Sequence, residues 1–166
     1  MRLTSLADYA VVMMAAAARH PAGARLSATL LAGETGLPLP TAQKLTGRLA
    51  AAGLLETSRG TGGGFRLARN APDISLADIV EAVEGPIVMT SCIDVERHDC
   101  ALESCCQVRP HMGVVNGAIR GALAGVSLAR LANPPRNGEG DQPKAGGGAS
   151  QVPENSVAQH AGGLSA

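Results

Sequence analysis

Apolar residues in the first twenty positions recur three or four residues apart, which is the spacing of a helix with one buried side. These residues are Leu6, Tyr9, Ala10, Met13 and Ala17. The pattern predicts a helix over residues 5–19 that packs its apolar side into a core. Ser5 is expected to cap this helix, with Asp8 three residues later in the place of a capping-box carboxylate.

Two further helices are predicted, separated by a turn over residues 33–38. Ser27 is expected to cap a short helix over residues 27–34. A longer helix is predicted from Pro40, a residue favoured at the first helical position, to Gly53, which suits a left-handed helix end. The buried stripe of this longer helix is predicted to be Leu45, Leu49 and Ala52. A short helix, a turn and a longer helix that begins with polar residues are typical of a helix-turn-helix.

A pair of short strands is predicted over residues 54–58 and 65–69, joined by a glycine-rich tip at residues 59–64. Such a glycine run also occurs in phosphate-binding loops, but those loops are followed by a helix. Because a strand follows here, we interpret the segment as the hairpin wing of a winged helix-turn-helix. A fourth helix is predicted over residues 75–84, with Ser75 and Asp78 as its capping box.

A long helix is predicted over residues 111–131, and it carries a glycine at every fourth position. These residues are Gly113, Gly117, Gly121 and Gly125. Each glycine costs a helix on the order of 1 kcal/mol relative to alanine. Close approach to a second copy of the helix would offset that cost, so a homodimer is expected. The alternative is that the glycines reflect the biased composition of the chain, which is also seen in its last residues.

The amino-acid composition predicts the fold class and, with the pattern above, how the chain divides into segments. With no Trp, one Tyr and one Phe, the core must consist of aliphatic residues, which favours a mainly α protein. Residues 1–70 are expected to form the DNA-binding head, and residues 71–132 to form a compact unit with it. Residues 133–166 lack apolar anchors and are expected to be a disordered tail.

The charge is unevenly distributed, although the formal net charge is zero. Residues 1–70 hold eight Lys/Arg and three Asp/Glu, whereas residues 71–132 hold four and eight. A basic head suggests a nucleic-acid partner. The apolar run at residues 10–18 is too short to span a membrane and lacks the basic start of a signal peptide, so a cytoplasmic protein without a membrane partner is expected. No paired acid and base or activated nucleophile is evident, and neither an enzyme nor a small-molecule substrate is expected.

All four cysteines lie within fifteen residues, and Cys92, Cys100 and Cys106 are separated by seven and then five residues. In a reducing cytoplasm, clustered thiols indicate a metal or redox site rather than disulfides. Structural zinc sites usually contain cysteines only two to four residues apart, so this spacing fits zinc poorly and fits an iron-sulfur cluster better. The fourth ligand of a cluster would be Cys105, His98, His111 or a carboxylate. Ordinary buried thiols are the alternative.

The chain resembles the Rrf-type winged-helix transcriptional regulators, a family that includes IscR-like and NsrR-like iron-sulfur sensors. Among them it is most similar to regulators of SUF-type cluster assembly. The resemblance covers residues 1–132. Its motifs are MRLTSLADYA, GLPLPTAQKLTGRLAAAGLL, SRGTGGGFRLAR, ISLADIVEAVEGPI and CQVRPHM.

The resemblance implies a [2Fe-2S] or [4Fe-4S] cluster bound by Cys92, Cys100 and Cys106. The chain departs from the IscR-like pattern in two ways. Its first gap between cysteines is longer, and Arg109 occupies the place of a ligating histidine, where a cationic guanidinium cannot bind iron. NsrR-like members use an aspartate at the position of Asp8, so Asp8 is a possible fourth ligand, ahead of His111 and Cys105.

The resemblance also places the longer helix of the motif in the major groove and the wing at the minor groove. Gln43 would read a base, and Thr41 lies beside it in the first turn. Lys44 and Arg48 would meet phosphates, although Arg48 is also plausible as an ordinary surface charge. Arg59 would enter the minor groove from the wing.

These expectations combine into one hypothesis: a homodimeric repressor of iron-sulfur (SUF) assembly genes that binds a double-stranded operator, with cluster state controlling its affinity. The alternatives are a nitric-oxide-sensing or zinc-bound regulator of the same fold, and an iron-sulfur carrier.

Overall fold

The computed structural model describes residues 3–58, 60, 63–90, 93 and 106–133, all of which belong to one compact unit, Met1–Pro134. In chain order the elements are α1 (Ser5–Ala18), α2 (Ala28–Thr35), α3 (Leu39–Ala51), β1 (Leu55–Ser58), β2 (Gly64–Leu67), a 3₁₀ turn (Ala71–Asp73), α4 (Leu76–Glu84), α5 (Arg109–Ala124) and α6 (Leu128–Ala132). The predicted mainly α winged helix-turn-helix is confirmed. The tail at residues 134–166 lies outside the described residues, and the predicted domain boundaries stay predictions.

Helix α1 is the centre of the core and packs against α2, α4 and α6. Its buried residues are Ala7, Ala10, Met13, Met14, Ala16 and Ala17. The prediction that Tyr9 belongs to the buried side was wrong, because α1 is enclosed through its small residues and Tyr9 lies on the exposed side. The prediction that Ser5 caps α1 was also wrong. Thr4 is the cap, because its hydroxyl accepts the N–H of Ala7 at 3.3 Å.

The helix-turn-helix is confirmed, with small changes at its ends. Ser27 caps α2 by accepting the N–H of Leu30 at 3.1 Å. Gly36 ends α2 in the left-handed conformation, with φ 72°. Helix α3 buries Ala42, Leu45 and Leu49. Ala52, predicted to be buried, is exposed because the helix ends at Ala51 and Ala52 already belongs to the turn.

The wing is an antiparallel pair in which Leu55 lies opposite Leu67 and Ser58 opposite Gly64. The outer edge of β2 is covered by the backbone of Leu26, which exchanges two hydrogen bonds of 2.8 and 2.9 Å with Phe65. A Cβ atom at Gly64 would come within 2.4 Å of the carbonyl oxygen of Leu26. Glycine is therefore required where the wing joins the head.

For the region after the wing, the prediction of the first helix is confirmed and the prediction of the last helix is corrected. Ser75 and Asp78 form the predicted capping box of α4. The single helix predicted over residues 111–131 is instead two helices, α5 and α6, because Ser127 caps α6. The backbones of Ser75 and Ser127 pair at this break, and Leu128 then enters the core fully buried. One straight helix could not make this contact with the core.

No helix in the described part of the chain is long and apolar enough to cross a membrane.

Candidate nucleic-acid interface and metal site

The outward side of α3 carries the side chains predicted to read DNA. Gln43 and Lys44 are exposed, and Thr41 is half-buried in the first turn. Helical spacing places Gly47 beside Gln43 on this side, while Ala42, Leu45 and Leu49 face the core. The arrangement leaves polar side chains free to enter a groove on one side of a helix that is firmly packed on the other.

Arg48 differs from its neighbours on α3 because its guanidinium has a partner inside the protein. Nη1 donates a hydrogen bond to the carbonyl oxygen of Val83, in the last turn of α4. Carbonyl groups in a last helical turn have no partner within the helix, and a cation is favoured at that end. The predicted phosphate contact of Arg48 stays a prediction, and this hydrogen bond competes with it.

The wing presents an ion pair on its exposed side in which two N–H groups share one carboxylate oxygen. Arg66 donates to one carboxylate oxygen of Glu56 from Nε at 2.8 Å and from Nη2 at 2.7 Å. The pair joins β1 to β2 and partly neutralises Arg66. Arg59, predicted to enter the minor groove, lies outside the described residues.

The cysteine segment is described only at its ends. Cys92, His98, Cys100 and Cys105 lie outside the described residues. Cys106 is a free, half-buried thiol shortly before α5, and His111 is exposed in the first turn of that helix. The described residues contain no group of three His, Cys, Asp or Glu that could hold a metal.

The donors that are described suit the predicted iron-sulfur cluster. Such clusters are held mainly by cysteine thiolates, and Cys106 provides a free thiol shortly before α5. Asp8 is exposed in the first turn of α1, where it is not needed as a cap because Thr4 has that role. Whether Asp8 or His111 completes the ligand set stays a prediction.

The chain that leads into the cysteine segment is fixed to α5 by one side chain, which sequence reasoning missed. The Asn116 amide donates to the carbonyl oxygen of Ile87 and accepts the N–H of Met89, both at 3.0 Å. The two bonds bracket Val88 in the manner of a neighbouring strand. The available signal was the amide itself, because asparagine is disfavoured in a helix interior and needs a reason to be there.

The start of α4 is an electrostatic junction between the wing and the core. Partial burial raises the pKa of Asp78, but hydrogen bonds from Ser75 and the positive charges of Arg69 and Arg120 outweigh it and leave the pKa below its usual value. Arg69 lies 3.6 Å from the carboxylate of Asp78. Arg120 of α5 forms a bidentate pair with Glu81 of α4 at 2.8 and 3.0 Å. Helix α4 is thus joined to the wing on one side and to α5 on the other.

Comparisons with known proteins agree with this geometry. The model of a family described as "Rrf2: Iron-dependent Transcriptional regulator" matches residues 3–134. The transcriptional regulator IscR of Photobacterium profundum is 31% identical over 131 residues, which cover 79% of this chain and 75% of the relative. Protein aau3 of Rhizobium meliloti is 36% identical over 124 residues, which cover 74% and 75% of the two chains.

A solved structure extends the similarity to three dimensions. The oxidised form of Staphylococcus aureus CymR superimposes with a TM-score of 0.58 at 25% identity, covering 80% of this chain and 97% of the other. The similarity therefore spans nearly the whole of that structure and includes both the head and the region that follows it.

Proposed function

Because the chain belongs to the Rrf2 family of transcriptional regulators, and is therefore a DNA-binding regulator rather than an enzyme, we propose that it senses an iron-sulfur cluster and represses iron-sulfur (SUF) assembly genes. The observation that carries the proposal is the position of Cys106. This free thiol joins the cysteine segment to α5; α5 packs on α4, and α4 packs on α1 and α3 of the DNA-binding head. A change at the thiol can therefore act on the head.

The proposed DNA contacts follow from the exposed side of α3. Gln43 would make the base contact, since a glutamine amide can pair with adenine in a bidentate manner. Thr41 and Lys44 would position the helix on the phosphates, and Arg59 would reach the minor groove. The excess of positive charge in residues 1–70 supports this orientation.

The proposed cluster is held by Cys92, Cys100 and Cys106, with Asp8 or His111 as the fourth ligand. When bound, the cluster supplies a redox-sensitive and nitric-oxide-sensitive group that can be gained or lost. The protein contributes the thiolates and a fixed attachment: Asn116 anchors the chain before Cys92, and α5 begins shortly after Cys106.

We propose that the protein is cytoplasmic. In the proposed dimer the two chains meet through α5. None of its sixteen residues is buried, although it carries apolar side chains on its exposed surface. Val114 and Val115 are 74% and 43% exposed, and Val108, the residue before the helix, is 56% exposed. A Cβ atom built at Gly113, Gly117 or Gly121 would meet nothing within 4 Å. A second α5 packed here would cover the valines and would use the space above the glycines.

The proposed cluster and the proposed dimer together explain how cluster state would control DNA binding. In a dimer the two α3 helices must enter major grooves about one helical turn or a multiple apart. A cluster placed between α4 and α5 would set the angle between each head and the dimer helix, and thereby the spacing of the heads. Operator affinity would then depend on the cluster.

The test is metal content and operator binding measured on the same anaerobic samples. Iron and acid-labile sulfide should be stoichiometric in the parent and absent in Cys106→Ser, and DNA affinity should change when the cluster is removed. Asp8→Asn and His111→Ala, compared with Cys105→Ser, identify the fourth ligand. Zinc in place of iron, or DNA binding indifferent to all four cysteines, would contradict the sensor and leave a regulator of another kind.

Two further outcomes separate the alternatives. Reaction of the cluster with nitric oxide that abolishes operator binding would make nitric oxide the signal. A cluster that passes to an acceptor protein while DNA binding stays insensitive to salt would favour a carrier, because phosphate contacts make true DNA binding steeply salt-dependent.

A further inference from the structure

Two side chains from different helices hold the backbone of residues 83–89, the stretch between α4 and the cysteine segment. Arg48 of α3 bonds the carbonyl oxygen of Val83, and Asn116 of α5 bonds the backbone of Ile87 and Met89. Between them lies Gly85, whose φ of 87° allows the chain to leave α4 in a new direction. A short piece of backbone therefore joins the DNA-binding helix to α5.

The bond from Arg48 satisfies a definite chemical need. Val83 lies in the last turn of α4, where the carbonyl groups lack helical partners and the helix end carries partial negative charge. The guanidinium supplies both a donor and a positive charge. Arg48 is five positions after Gln43 and so lies on a different side of α3, and this bond turns its guanidinium toward α4.

The bond pair from Asn116 is equally specific. One amide recognises a carbonyl oxygen and an N–H two residues apart, which fixes both the position and the direction of the chain. The carboxamide of Asn116 supplies both the acceptor and the donor that this contact needs. Movement of the chain near Met89 must therefore move α5 or break these bonds.

We propose that Arg48 is a positioning residue that, together with Asn116, transmits the state of the cysteine segment to α3, rather than a phosphate contact. This inference rests on the proposed function. Loss or gain of the cluster displaces residues 86–90, the end of α4 follows, and Arg48 carries the displacement to the helix that enters the major groove.

The test compares operator affinity over a range of salt for cluster-loaded and cluster-free protein. Arg48→Met keeps an apolar stem of similar length and removes the donor. The inference predicts that its salt dependence equals that of the parent, while the affinity ratio between loaded and free protein falls toward one. A phosphate-binding role for Arg48 predicts the reverse: an unchanged ratio and a log–log slope lowered by about 0.9 for each phosphate no longer neutralised, or about 1.8 for a dimer.

Matched variants complete the design. Arg48→Lys retains a cationic donor and should recover much of the ratio. Asn116→Ala should lower the ratio as Arg48→Met does, and in cluster-free protein it should speed hydrogen exchange at the amide of Met89. Arg120→Gln, which removes the ion pair between α5 and Glu81 of α4, should leave the ratio unchanged, and Lys44→Gln should lower the slope.

The outcomes distinguish this inference from the proposal beneath it. A parent whose DNA affinity does not depend on the cluster overturns both. A parent with cluster-dependent affinity and variants Arg48→Met and Asn116→Ala that keep the full ratio overturn the inference alone.

Discussion

Helices α4 and α5 pack against each other, yet their stability has different sources. Helix α4 has nine residues, of which four are buried, and both halves of a capping box. Helix α5 has sixteen residues, none of them buried, and no side-chain cap. Because most of the stability of a helix in a protein comes from packing its apolar side rather than from intrinsic propensity, α5 depends on contacts beyond its own sequence. The chain completes α4 by itself, whereas in the proposed dimer a second copy would cover one side of α5.

The largest expected effect is the loss of a core side chain from α4. Ile79 is fully buried, and Ile79→Ala should lower the free energy of unfolding by about 2–5 kcal/mol, because apolar burial is lost and a cavity is left. Val114→Ala in α5 should change it by less than about 0.5 kcal/mol in the monomer. Urea unfolding of cluster-free protein at low concentration measures both. Equal losses would show that α5 is stabilised within the monomer and would remove the contrast between the two helices.

The next effect concerns the association of two chains. Val114→Glu places a charge at the most exposed valine of α5, and it should weaken the dimer at least tenfold, or about 1.4 kcal/mol. Sedimentation equilibrium gives the dissociation constant. Thr57→Glu, at an exposed position on β1, should leave it unchanged. If Val114→Glu associates like the parent, the dimer uses another surface.

The same contrast explains which parts of the fold were predictable. The limits of α4 depend on neighbours in sequence: Ser75 and Asp78 cap its start, and Gly85 ends it. The break between α5 and α6 has one local signal, the cap residue Ser127, but it also depends on the pairing of Ser127 with Ser75, far away in the chain. No local pattern encodes that contact, so a continuous helix was predicted.

The candidate site divides in the same way. Helical periodicity alone places Gln43 and Lys44 outward once the buried residues of α3 are known. The partners of Arg48 and Asn116 are 35 and 27–29 residues away, and all three partners are backbone atoms that carry no sequence signal. The sequence around Arg48 therefore does not distinguish an arginine exposed on the surface from one that bonds another helix.

A smaller effect should follow from the capping box of α4. Asp78→Asn keeps an oxygen that can accept the N–H of Ser75 but removes the negative charge from the first turn of the helix, and it should cost about 0.3–1 kcal/mol at neutral pH. Because hydrogen bonds and nearby arginines hold the pKa of Asp78 below its usual value, its contribution is complete above the pKa of the unfolded chain, about 3.9, and is lost as pH falls through the lower folded pKa. The difference in stability between the parent and Asp78→Asn should therefore disappear at acidic pH.

Thermal unfolding between neutral pH and about pH 2 measures that convergence. Asp73→Asn is the matched control, since Asp73 is an exposed carboxylate of the preceding turn and lies outside the capping box. A difference for Asp78→Asn that stays constant down to acidic pH would show that the carboxylate charge does not stabilise α4.

The smallest expected effects on stability come from alanine substitutions at two glycines that have the same surroundings within one chain. Gly47 in α3 and Gly117 in α5 are both exposed, and a Cβ atom at either would meet nothing within 4 Å. Alanine at each should stabilise the monomer by up to about 1 kcal/mol, because glycine is the poorer helix former. If two α5 helices approach closely at Gly117, the added methyl group must push them apart. Gly117→Ala should then weaken the dimer, whereas Gly47→Ala should leave it unchanged. If both variants gain stability and dimerise like the parent, the glycines of α5 reflect composition alone, and the valines alone must account for the dimer.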